Sequence, residues 1–252
     1  MTASTSTLIR NETYSADTRS AQTRLYRLGG VLALLIVMTA LLEIIITFLP
    51  GGYASADTVL EWFTLFQNNW FLGLRNLGLL NIVMTTLGIP MFFALYTAHR
   101  ETCQPYTTLA LLFSLLGSAV FFATNRAFPM LDLSRQYAQV ATDAERTLLA
   151  AAGQAMLSVG ESHTPGTFLG FFLSEIAGIL ISLVMLRSRT FPVINAHAGI
   201  FGFGMLLIFD ICTSFVPALS NVVLIFAMIG GLLSIAWYIL ISLRLFQLAR
   251  PS

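Results

Sequence analysis

The sequence predicts a polytopic membrane helix bundle, all-α, with six transmembrane helices and one extracytoplasmic amphipathic helix. Three observations predict it. Of 252 residues, 56% are hydrophobic and only 10% charged, against roughly 25% charged in an ordinary soluble domain. Apolar windows of about 20 residues, enough to cross a hydrocarbon core of about 30 Å, recur near 28 to 49, 70 to 98, 106 to 126, 166 to 187, 192 to 216 and 220 to 246. Finally, the arginines divide unevenly between the two sides that this count creates.

The first span follows Arg24 and Arg27 and is followed by Ala54-Ser55-Ala56, a pattern that a secretory leader also shows. Its apolar run is too long for a leader and contains Glu43, so a retained helix is the reading. Residues 1 to 23 are Ser/Thr-rich without helical periodicity and read as a disordered cytoplasmic tail. The rest, 24 to 252, forms the transmembrane domain. Arg10, Arg19, Arg24, Arg27, Arg100, Arg187, Arg189, Arg244 and Arg250 fall on one side, and Arg126, Arg135 and Arg146 on the other. By the positive-inside rule both termini are cytoplasmic.

Residues 127 to 164 are too polar to cross. Thr142 and Glu145 fit a capping box, Leu148, Leu149, Ala152 and Met156 keep helical spacing, and Gly160 supplies a stop. An outer amphipathic helix at about 143 to 159 follows, either resting on the headgroups or covering a cavity mouth through Leu148, Leu149 and Met156. The next stretch, "GESHTPG", brings Glu161, Ser162 and His163 together, but no metal or nucleophile motif surrounds them. It reads as a loop before a helix start.

Composition excludes several chemistries. All thirteen basic residues are Arg, so a lysine Schiff base and a Walker-type phosphate loop are both ruled out. A net charge of +1 leaves no nucleic-acid footprint. Cys103 and Cys212 fall on opposite sides of the predicted membrane, giving no disulfide framework. No "GxSxG", "HExxH" or di-iron motif occurs. An enzyme is therefore the least favoured class, and no cofactor is expected. His99 and His197 lie too near the inner surface to favour a haem pair.

The candidate site is made of charges inside the spans. Glu43, Arg75, Glu175 and Asp210 all fall in the outer half. At 1.5 Å per residue, Glu43 and Asp210 lie about 10 Å deep, Arg75 about 8 Å and Glu175 about 15 Å. Arg75, Gly78, Asn81, Thr85 and Gly88 form one polar or small stripe, and Asn195, Gly199, Gly202, Leu206, Asp210 and Thr213 another. A charge at a span's centre costs about 2.5 to 3.5 kcal/mol on insertion scales, so the four are expected to converge and pair. By depth, Arg75 pairs with Glu43 or Asp210. Glu175 is then left for a proton, a cation or a ligand.

Several stretches resemble a large bacterial family of six-span membrane proteins catalogued as a domain of unknown function. They are "RLYRLGG", "LRNLGLLNIVM", "TDAERTLLAAAGQAML" and "LRSRTFPVINAHAG", and the likeness spans roughly 24 to 246. It implies the six-span architecture in the bacterial inner membrane and no particular activity. The family's second helix carries an acid six residues after its Arg, which puts Asn81 at the acid's position. The functional expectation is a lipid-embedded protein binding a small-molecule, lipid-like or cationic ligand at Glu43, Arg75, Asn81, Glu175 and Asp210, as carrier or sensor. The alternative is an accessory subunit of a membrane-protein complex, its buried ion pairs structural.

Overall fold

The structure is a computed structural model whose backbone is described for residues 2–49, 56–160 and 162–250. Every regular element among them is helical: α1 (Thr2–Phe48), α2 (Val59–Asn68), α3 (Trp70–Asn76), α4 (Leu79–Thr124), α5 (Ala127–Gln139), α6 (Asp143–Leu157), α7 (Phe168–Ser188), α8 (Val193–Phe215), a 3-10 turn (Pro217–Leu219) and α9 (Ser220–Leu248). Five helical stretches are long and apolar enough to cross a membrane. Large apolar side chains such as Met38, Leu116, Met228 and Leu232 stand exposed around them, as a lipid-facing belt requires.

The predicted second and third spans belong to a single helical element, α4, of 46 residues. A straight helix of that length would measure about 69 Å. Yet Asn125, just past its end, donates from Nδ2 to Leu77 O at 3.3 Å, just before its start. The two arms therefore fold back on one another. The fold lies at Cys103, where φ −140° and ψ 44° leave the helical region, two residues before Pro105. Proline cannot donate to the preceding turn and pushes the residue before it away from helical geometry.

α1 packs on α4 and α9, α4 on α7, α7 on α8, and α8 on α9, which closes the circuit. Close approach is built in: a Cβ on Gly117 would stand 2.7 Å from Ser174 Oγ and 3.2 Å from Gly170 O, so α4 and α7 meet nearly backbone to backbone. The half of the bundle nearer the termini is solid. Leu95, Met185, Phe191, Trp237, Ile241 and Leu245 are all essentially without exposure there. Ser242 Oγ ties α9 to α1 by donating to Gly30 O at 2.8 Å.

The opposite end carries a layer of short helices. α2, α3, α5 and α6 pack mainly on one another around Trp62, Phe63, Phe66, Leu74, Leu77, Ala127 and Met130. Thr58 and Glu61 make a capping box for α2, and Thr142 and Glu145 make one for α6. In each the carboxylate is held below its ordinary range. For Glu61 the main cause is the Asp57 and Thr58 backbone N–H groups, and for Glu145 it is the Thr142 hydroxyl, 2.6 Å away.

Three expectations change. The second span does not run unbroken from 70, because the chain breaks at Leu77 and Gly78, with Gly78 at φ +94°. That conformation is left-handed and costs glycine nothing. The stripe from Arg75 to Gly88 is accordingly not one helix face. Residues 2–23, expected to be a tail, continue α1 as helix. No Gly or Pro interrupts the chain before Gly29, and once the span supplies the nucleus each added residue gains a hydrogen bond. Finally, α6 is no lid. It packs on α2 and α5, Gly153 sits against Val59 and Phe63, and Leu148 is 71% exposed. Ala54 and Ser55 of the leader-like motif lie outside the described residues.

Candidate functional site

Arg75 occupies the last turn of α3, where a helix C-terminus favours a cation. Its guanidinium is turned to α1: Nη2 lies 2.9 Å from Glu43 Oε1, donates to Glu43 O at 3.2 Å and reaches the Thr47 hydroxyl. Nη1 donates to Asn76 Oδ1 at 3.1 Å. Arg75 is 3% exposed. Of the two acids that depth allowed, the partner is Glu43. The pair pins the layer of short helices to the bundle, since one partner belongs to each.

Asp210 is paired elsewhere. Fully buried on α8, it accepts from His163 Nδ1 at 3.1 Å through Oδ1, which assigns the Nδ1–H tautomer or the imidazolium. His163 belongs to the "GESHTPG" loop. It has φ +60°, and its ring lies 4.1 Å from that of Phe171 and 4.9 Å from that of Phe209. Its carbonyl accepts from Ser214 Oγ at 3.2 Å. So a residue read as loop filler is instead inserted into the bundle's end. A fully buried aspartate in an apolar span needs a donor, and His163, in the short link next to that end of the span, was the signal available. Glu161 lies outside the described residues.

Between these two pairs lies a cavity of about 390 Å³, lined by α1, both arms of α4, α7, α8, α9 and His163. Its wall is mostly apolar, with Phe92, Phe121, Phe171, Phe203 and Tyr238 among its members. Its polar lining includes Glu43, Asn81, Thr85, Ser118, Ser174, Glu175 and Ser234. The inner end is closed by Trp237, fully buried, whose ring meets Phe203 at 4.9 Å and Phe92 at 6.5 Å.

Glu175 differs from the other acids. It is 5% exposed and lines the cavity, and Oε2 has no hydrogen-bond partner; Glu43 Oε2 and Asp210 Oδ2 have none either, but those two acids are paired through their other oxygens with Arg75 and His163, and Glu175 is paired with neither. Ser234 Oγ, on the facing α9, likewise has none. Two further serines of the wall are committed: Ser174 donates to Gly170 O at 2.9 Å and Ser118 to Ser114 O at 2.8 Å, which leaves their oxygens free only to accept.

Of the five residues expected at a ligand site, Glu43, Asn81 and Glu175 line the cavity, whereas Arg75 and Asp210 stand behind its wall, holding Glu43 and His163. His99 is buried against Ser188, while exposed His197 bonds to Val193 O on its own helix, so the two do not form one site. Among the described residues no group of three or more His, Cys, Asp or Glu is placed to hold a metal ion.

These features define a helical membrane protein with an interior, carboxylate-bearing cavity. Comparison with known proteins adds no family: no protein-family model, no characterised protein and no solved structure matches this chain.

Proposed function

We propose that this chain crosses the bacterial inner membrane six times, with both termini cytoplasmic, and binds a small or lipid-like molecule in a cavity that opens outward, as a carrier or sensor. The two arms of α4 supply the second and third crossings. Arg187, Arg189, Arg244 and Arg250 gather at the end where α7 finishes and α9 finishes, and positive charge marks the cytoplasmic face. The short-helix layer is then extracytoplasmic. A Gln139→Cys variant lacking Cys103 and Cys212 should react with an impermeant thiol reagent in intact cells. Reaction only after lysis would reverse the orientation.

The observation that carries the ligand reading is Glu175: a buried carboxylate oxygen without a partner, facing a mostly apolar space of about 390 Å³. Bound small molecules ordinarily occupy apolar pockets of about 300 to 1,000 Å³ with a few convergent polar groups. A charge held only to fix helix register would be ion-paired by protein, as Glu43 is with Arg75 through Oε1. The test is native mass spectrometry of protein extracted gently from its own membrane. A Cβ at Gly88 meets nothing within 4 Å, and Gly88 lines the cavity, so Gly88→Leu is the substitution chosen to fill the space. The wild type should retain a non-protein mass that Gly88→Leu loses. Equal masses in both would reject the reading.

A second reading, an accessory subunit, draws on the Arg75 and Glu43 pair, whose bonds join two parts of the fold. It requires a protein partner that copurifies and is released when the short-helix layer is altered at exposed positions such as Leu148.

A further inference from the structure

We propose that the cavity takes a protonated organic amine with an apolar body, its N–H donors on Glu175 and its body among Phe171, Phe203 and Tyr238. The inference rests on the reading of the cavity as a ligand site and names the ligand's chemistry. Five groups carry the argument. Arg75 offsets Glu43 at 2.9 Å, and His163 donates to Asp210 at 3.1 Å. Among the described residues Glu175 has neither an ion pair nor a hydrogen bond, and it is 5% exposed. A carboxylate only accepts, so its complement is a donor, and the best donor in a dry site is a charged one.

The remainder of the wall selects among cations. A divalent metal ion needs several convergent charged ligands, and no group of three or more His, Cys, Asp or Glu is placed for one among the described residues. Aromatic faces instead favour an organic cation, each contact adding about 0.5 to 2 kcal/mol according to how far the site is desolvated. Phe171 from the helix of Glu175, Phe203 from α8 and Tyr238 from α9 line the same cavity as Glu175. Ser234 Oγ offers a second, unused polar contact on that far side. An anion would meet an unpaired carboxylate. A neutral donor such as a hydroxyl would satisfy its oxygen only with a weaker, uncharged hydrogen bond.

The experiment uses the full chain in nanodiscs and two probes of one shape, 4-phenylbutylamine and 4-phenylbutanol, which differ in charge. Affinities are measured by calorimetry for the wild type, Glu175→Gln and Gly88→Leu. Charge-assisted hydrogen bonds are roughly twice as strong as neutral ones, so the wild type should prefer the amine by about tenfold or more. Glu175→Gln should bring the two probes level while still binding both, and Gly88→Leu should lose both. Equal affinity of the wild type for amine and alcohol, each lost in Gly88→Leu, would overturn the amine and leave the cavity reading standing. Binding of neither probe to the wild type, or binding that Gly88→Leu leaves intact, would overturn both.

Discussion

The two halves of the bundle are built from the same five long helices and differ in what fills them. Toward the termini, Leu95, Phe191, Trp237, Ile241 and Leu245 close the interior completely. Toward the short-helix layer, glycines and serines take the corresponding positions, five ionisable side chains enter, and a cavity remains. Lipid is as apolar as leucine, so neither half is held by a hydrophobic drive between helices. Dense packing holds the half nearer the termini. Named ion pairs brace the half nearer the short helices, which leaves room that packing would have taken.

That contrast is most exposed at the floor between the halves. Trp237→Ala removes a ring packed against Phe203 and Phe92 and should cost about 3 to 5 kcal/mol, the usual range for such a core truncation. Thermal unfolding in detergent checks it; a loss under about 1 kcal/mol would mean that the inner half is not the bundle's structural centre. The next effect lies at the Arg75 and Glu43 pair. A double-mutant cycle with Leu at 75 and Gln at 43 should show coupling of about 1 to 3 kcal/mol, and cycles of Arg75 with Asp210 or Glu175 close to none. Coupling to Asp210 instead would contradict the observed pairing.

Filling the cavity should do the opposite of emptying the floor. Gly88→Leu places a better helix former where an added Cβ meets nothing within 4 Å, so stability should hold or rise by up to about 1 kcal/mol. A drop beyond that range would show that the space is needed for folding. The smallest effect is in the caps. Glu145 has its carboxyl lowered by the Thr142 hydroxyl, so its contribution is present above the unfolded value of about 4.3 and is lost as pH falls through the folded one. Amide exchange at the start of α6 should quicken over that acid window, and Thr142→Ala, which keeps only the backbone N–H bond to Glu145, should weaken the dependence.

That the chain is all-helical with several long apolar helices was legible because hydrophobic runs of spanning length act along the chain. Depth narrowed Arg75 to two acids; geometry left one. What escaped was non-local. The break at Gly78 reads as one more small residue in a stripe until its φ is known. α2 is too short to weigh as a span, although Thr58 and Glu61 carry the capping-box signal at its start. The role of His163 depends on a loop folding inward, and no local pattern states which way a loop points. Asp210 nevertheless implied a donor.

The central claim is that the outer half is open to an external molecule and the inner half is not. Substituted-cysteine accessibility tests it in intact cells, with Cys103 and Cys212 replaced and single cysteines at Thr85, Ser118 or Ser234 in the cavity and at Leu95 or Ser242 in the closed half. An impermeant thiol reagent added outside should modify the first three, 4-phenylbutylamine should slow that reaction, and Leu95→Cys and Ser242→Cys should stay unmodified. Equal modification of both sets, or modification of the cavity positions only from the cytoplasmic side, would contradict the account.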